Sequence, residues 1–205
     1  YIFDCLPGYR NNGDSIPLPW SDELAEKLKT AYGSKLSSIL PALWYPCGEN
    51  TRIIRYSYMD QVTRLIEENY NGQVHKWCTD RGIPYIGHAL EDENSHCRLG
   101  CGPGHFFRMQ KHQDMAGVDV VGGQIMPGCD FKGYSWYGCS DGDGEFYHYG
   151  LAKLASSEAH ISPEKKGRSV CEYNAVYSGI SDAKLQKYLL DHLFVRGVNN
   201  LIPVA

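Results

Sequence analysis

The chain has 205 residues, with 20 basic and 24 acidic side chains, a net charge of -4 and a 42% hydrophobic share. That length suits one domain with a real core. The absence of any long Lys/Arg block excludes the electrostatic footprint of a nucleic-acid binder, and no apolar run reaches the roughly 18 residues that cross a bilayer.

In chain order the first expected element is a strand over residues 1–4, followed by a Gly-, Pro- and Asn-rich loop up to Trp20. Ser21 is a good N-cap, with Asp22 and Glu23 in the first turn, and Gly33 is the stop of that helix. A short helix over 34–43 and a long one over 51–81 come next, the latter striped by Ile54, Val62, Leu65, Ile66 and Trp77, with Asn71-Gly72 as a candidate break. Gly82 stops it, and 83–88 reads as a strand. After a polar, Gly-rich loop the pattern gives a helix over 105–115, a strand over 118–121, a helix over 145–160, a strand over 168–173, a helix over 181–196 and a last strand over 198–204.

Strands alternating with helices predict a parallel sheet with helical crossovers. The long loops follow the strands, which places the chemistry at the strands' C-terminal ends. The fold class expected is α/β, a (β/α)8 TIM-barrel type, present as a partial barrel of about five parallel strands because a closed barrel takes about 250 residues. Residues 1–205 are read as one such catalytic domain. A partial barrel leaves parallel edges, so a second copy or the remainder of a larger chain is expected to cover them. No signal peptide is visible before Tyr1, which leaves both a cytoplasmic and a secreted location open.

Glu91, in Gly87-His88-Ala89-Leu90-Glu91-Asp92, follows one expected strand, and Glu172 ends another. Two carboxyls at one mouth suit glycoside hydrolysis, where one donates a proton to the leaving oxygen and the other activates water or attacks the sugar. The 15 tyrosines offer flat faces of the kind that stack on sugar rings, although any one of them also serves as core or surface filler. Among the eight cysteines, Cys5, Cys78 and Cys171 are expected as buried thiols. His96, Cys97, Cys101 and His105 have an unusual, Gly-rich spacing for zinc, and a Cys97–Cys101 or Cys129–Cys139 disulfide is an equal alternative. No metal and no cofactor is assigned. His160 and His192 fall near helix C-termini, where a cation complements the dipole.

The run Gly87-His88 with Glu91-Asp92, then Arg98 to Arg108, then Gln113-Asp114 with Gly117 and Asp119, resembles the catalytic domain of bacterial glycoside hydrolases, large proteins related to the α-L-rhamnosidases. Tyr149 to His160, Arg168 with Cys171-Glu172, and Asp191-His192 with Arg196-Gly197 and Asn199 match as well. The resemblance implies catalytic positions at Glu91, the general acid, and Glu172, the base or nucleophile. It also implies a sugar site lined by Asp4, His88, Asp92, Asp119 and Asn199, with a carbohydrate as the partner. Three departures stand out: Cys5 beside Asp4 where the family has an acid, Val204 where it has a His, and Tyr173 to Tyr177 where it has a small, Gly-containing turn. They are compatible with a changed substrate or with lost activity, the alternative being an inactive relative or fragment that only binds carbohydrate or a protein partner.

Overall fold

The structure, a computed structural model, describes residues 18–89, 104–129, 144–177 and 181–204. The expected strand over 1–4, most of the loops at 89–104 and 122–144, and the His96, Cys97 and Cys101 trio lie outside the described residues.

Helix α1 is Asp22–Tyr32. Ser21 caps it as expected, its hydroxyl accepting from the Leu24 N–H at 3.1 Å, and Gly33 ends it at a φ of 57°. A short α2, Leu36–Ile39, leads to α3, Thr51–Ile66. Leu24, Leu28, Leu36, Leu43, Tyr58, Val62 and Leu65 bury their side chains together between these helices. The expected break at Asn71-Gly72 is instead a π-helical turn, Glu67–Gly72, that runs on into α4, Gln73–Thr79. The extra residue turns Asn71 inward, where it is fully buried. Its side-chain oxygen accepts from the Tyr85 hydroxyl at 2.8 Å, and burial raises the Tyr85 pKa to about 12.

The second half is a parallel sheet. Strands β1 (Ala116–Val121), β2 (Ser169–Ala175) and β3 (Asn200–Pro203) lie in the order β1-β2-β3. Helix α6 (Ala152–Ile161), entered through a π-helical turn at Phe146–Leu151, joins β1 to β2, and α7 (Ala183–Val195) joins β2 to β3. Side chains alternate across the strands. Ala116, Val118, Val120, Cys171 and Tyr173 pack with Leu151, Ala152, Ala155, Ala159, Leu189 and Leu193 into the main core. Gly117, Asp119, Glu172 and Asn174 belong to the other face.

The α/β class and the parallel strands agree with the sequence. Four of the five or so expected strands fall among the described residues, where three pair and no barrel closure is shown. Residues 83–89 form no regular element and join no ladder. The reason is local. The backbone groups of Gly117 that point away from β2 are taken by a side chain: the Gln110 amide accepts from the Gly117 N–H at 2.9 Å and donates to its carbonyl at 3.2 Å. Gln124 does the same for the Val121 N–H at 3.1 Å. An edge strand has no vacancy to fill there, and these glutamines also blunt the edge against pairing with another chain. Gly87 instead lies over the face of β1, on Gly117.

Gln110 ends α5, Phe106–Gln110, which is five residues long where the sequence suggested eleven. Beyond it the chain is tied by Lys165, whose side chain is fully buried. The Lys165 ammonium donates to the carbonyls of Gln110, Lys111 and Gln113 at 2.7, 3.2 and 2.6 Å and stands 3.7 Å from Glu158. Burial lowers its pKa, against the raising effect of Glu158.

His160 follows expectation, with Nδ1 donating to the Ser156 carbonyl at 2.6 Å in the last turn of α6. His192 corrects it. The ring is 6% exposed, edge-on to His148 at 5.8 Å. Burial, with Arg196 and His148 adding to it, lowers its pKa to about 4, so the dipole's cation is Arg196, which donates to the His192 carbonyl at 3.1 Å. The unfolded chain takes up this proton near pH 6.5, while the folded one refuses it until about 4. Stability is therefore expected to fall as pH drops from 7 to 4, by on the order of 2 kcal/mol from this group after a discount for partial solvation. Urea unfolding of wild type and His192→Leu at pH 7 and 4.5 checks it: the acid loss should be smaller in the variant, and equal losses in both would refute the assignment.

No disulfide joins the described cysteines: Cys47 is exposed, Cys78 and Cys129 are half-buried and Cys171 is buried. Cys78 thus departs from the expected burial. No helix among the described residues is long and apolar enough to cross a membrane.

Candidate functional site

The site lies on the sheet face opposite the one that packs on α6 and α7. Asp119 and Glu172 are register partners on adjacent strands, so their side chains leave the sheet side by side. Glu172 is the fourth residue of β2, whose ladder continues to Ala175. It therefore sits mid-strand, and not at the strand's end as the sequence suggested. Asp119 is nearly covered, at 8% side-chain exposure, and Glu172 is open at 35%.

The 83–89 segment supplies the third side chain. Tyr85 is held at two points by Asp114, whose carboxylate accepts from the Tyr85 N–H at 2.7 Å and whose N–H donates to the Tyr85 carbonyl at 2.7 Å. Two residues on, Gly87 presses against Gly117 so closely that a methyl group on Gly117 would stand 1.8 Å from the Gly87 carbonyl oxygen. Gly117 has to be a glycine for the two backbones to meet this way, whereas a carbon added at Gly87 would meet only the Gln113 side chain, at 3.8 and 3.9 Å. The contact delivers His88 to the carboxylates: its Nε2 is 3.9 Å from Asp119 Oδ2 and 3.8 Å from Glu172 Oε2. One ligand atom from each of the three side chains lies within 4.8 Å of the others.

The His88 ring is oriented by its other nitrogen. Nδ1 lies 2.9 Å from the Ala89 carbonyl oxygen, which only accepts, so Nδ1 carries a proton and donates. Nε2 is left to face the two carboxylates. The cluster can then hold a proton or a cation between the imidazole and the acids, or present the Glu172 carboxylate to a ligand on the open side.

Of the residues expected at the site, His88, Asp119 and Glu172 converge. Glu91, Asp92 and Asp4 lie outside the described residues, so the expected Glu91–Glu172 pair has no described geometry. Asn199 is placed elsewhere. It precedes β3 at the level of Ser169, three residues or about 10 Å down the strands from Glu172. Its side-chain oxygen accepts from the Ser169 N–H at 3.0 Å and its amide donates to the Gly167 carbonyl at 2.8 Å. It aligns the strand starts, because a short polar side chain at a strand's entry replaces missing ladder bonds. Val204 ties the other end, its N–H donating to the Tyr173 carbonyl at 3.0 Å and its own carbonyl accepting from Asn174 at 3.0 Å.

Sequence reasoning named Asp114 and Gly117 only within the resembled run, with no positioning role, and did not single out Gln110; all three position the cluster without belonging to it. The signal was present as two glycines, Gly87 and Gly117, each one or two residues before a site residue. A cavity of about 500 Å³ lined by Arg64, Glu67, Arg108, Lys111, Glu158 and Glu164 among others shares no residue with the cluster. Charges of both signs line it, and Lys111 pairs with Glu67 at its wall. In comparisons with known proteins, the chain matches no family model, no curated protein and no solved structure.

Proposed function

We propose that this chain is a segment of a (β/α)-barrel glycoside hydrolase in which Glu172 is a catalytic carboxylate and the substrate is a carbohydrate. The observation that carries the reading is the half-open Glu172 beside buried Asp119 and partly exposed His88, on the sheet face away from α6 and α7. Strands in sequential order, with the two crossover helices α6 and α7 packed on the same side, support the barrel segment, since an open doubly wound sheet reverses its order at the ligand site. Asp119 and His88 keep the Glu172 carboxyl in a polar, oriented environment, the condition for tuning an acid or a nucleophile. Glu91 is proposed as the second carboxylate.

A second reading, an inactive relative that still binds sugar, is favoured by the turn after Glu172. Asn174 and Val176 adopt φ of 75° and 56° where the resembled family has a glycine-containing turn. A β-branched residue in that region is strained, so the backbone beside Glu172 is held at a cost of about 1–3 kcal/mol per residue.

A panel of aryl glycosides decides between them. With an active chain, Glu172→Gln is expected to lower kcat by about 10²–10⁴-fold, the usual share of a positioned acid or base, and Glu91→Gln to do likewise. Equal rates in wild type and both variants would remove the assignment. Sugar binding without turnover in the wild type selects the second reading.

A further inference from the structure

We propose that His88, Asp119 and Glu172 form a binding site for one divalent transition-metal ion of the zinc or manganese class. Three features carry it. The donor set is one imidazole nitrogen and two carboxylate oxygens, mutually within 4.8 Å. The imidazole suits zinc and the two carboxylates also suit manganese, whereas magnesium and calcium prefer all-oxygen shells. The imidazole is oriented as a ligand: Nδ1 donates to the Ala89 carbonyl, the outer hydrogen bond that fixes the tautomer of metal-ligating histidines and turns the Nε2 lone pair inward. Finally, the donors come from separate pieces of chain locked in place by the β1–β2 register and the Gly87–Gly117 contact.

The spacing is compatible. Donors about 2.1 Å from a tetrahedral ion stand about 3.4 Å apart, so the 3.8 and 3.9 Å edges at Nε2 need to close by a few tenths of an ångström, and the edge between the two carboxylates, within 4.8 Å, by at most about 1.4 Å. The partly open Glu172 and His88 side chains permit that. Three protein donors leave at least one coordination position, on the solvent side of Glu172. The competing explanation for the same geometry is a protonated His88 bridging two carboxylates, which needs no metal.

The inference concerns metal uptake alone and does not rest on the glycosidase reading. Chelator-stripped full-length chain is titrated with Mn²⁺ and with Zn²⁺ by calorimetry, and Mn²⁺ occupancy is read by electron paramagnetic resonance. Wild type should bind one equivalent, with a raised melting temperature. The near-isosteric Asp119→Asn and Glu172→Gln should each weaken binding at least about tenfold, and circular dichroism confirms that each has folded. His160→Ala, a histidine outside the cluster, should bind as wild type does. No saturable binding in wild type, or equal binding in wild type and both carboxamide variants, overturns the proposal and leaves an adventitious ion only, or the protonated bridge. Metal uptake without turnover of any aryl glycoside leaves this site standing and defeats the hydrolase reading; turnover by metal-free chain with no uptake does the reverse.

Discussion

Gly117→Ala should be among the most damaging single-methyl additions to this protein. The new carbon would meet backbone atoms, the Gly87 carbonyl oxygen at 1.8 Å and its carbon at 2.6 Å. A backbone cannot rotate aside as a side chain can, so either β1 or the 83–89 segment has to move. Strand β1 is anchored by its ladder to β2 and by the Gln110 amide. The segment is anchored at Tyr85 by Asp114. Moving it takes His88 away from Asp119 and Glu172. The expected stability loss is about 3 kcal/mol, the upper part of the range for overpacking, together with loss of whatever turnover or metal uptake the cluster supports. Gly87→Ala is the control. Its added carbon meets only the Gln113 side-chain amide, at 3.8 and 3.9 Å, so its cost should stay below about 1 kcal/mol. Urea unfolding of both variants tests the contrast, and equal, small losses would show that the two backbones do not meet here.

Lys165→Met should cost about 3–5 kcal/mol, the scale for removing one partner from a buried charged cluster. Methionine matches the stem but not the ammonium. Three carbonyls at the end of α5 and in the following turn lose their donor, and Glu158, at 4% side-chain exposure, loses its cation. The carbonyls are those of Gln110, Lys111 and Gln113, the chain that leads into β1, so the Gln110 amide on Gly117 should loosen with them. Adding Glu158→Gln to Lys165→Met should recover part of the loss by removing the stranded charge. Equilibrium unfolding at pH 7 measures both. A loss under about 1 kcal/mol for Lys165→Met would mean that water replaces the ammonium.

Elements whose signals are local were legible in the sequence. Ser21 and Gly33 bound α1 because a cap needs only the residues within one turn of it. The strands at β1, β2 and β3 announced themselves by apolar runs set between helical patterns, and the helix-facing positions of β1 and β2 are the ones that alternation selects. The segment at 83–88 carried the same apolar content and became no strand. A ladder needs an edge, and the edge at Gly117 belongs to the Gln110 side chain. His192 was read as a cation from its place on α7; its environment is set by the His148 and Tyr188 rings packed around it, which keep it neutral. Asn199 was read as lining the sugar site, and the register of β3 puts it at the opposite end of the strand.

For the candidate site, the sequence by itself determined the residue types and their spacing along the chain: His88 after one glycine, Asp119 after another, Glu172 within an apolar strand. A one-dimensional pattern carries local conformation because capping, turns and alternation are settled by near neighbours. Only the tertiary structure decided that these three side chains meet. Their proximity depends on a parallel register between β1 and β2 and on a backbone-to-backbone contact between residues thirty apart, Gly87 and Gly117. Both are long-range packing outcomes, in which the edge occupied by Gln110 and the cation buried at Lys165 compete with, and override, the propensity of the segment that carries His88.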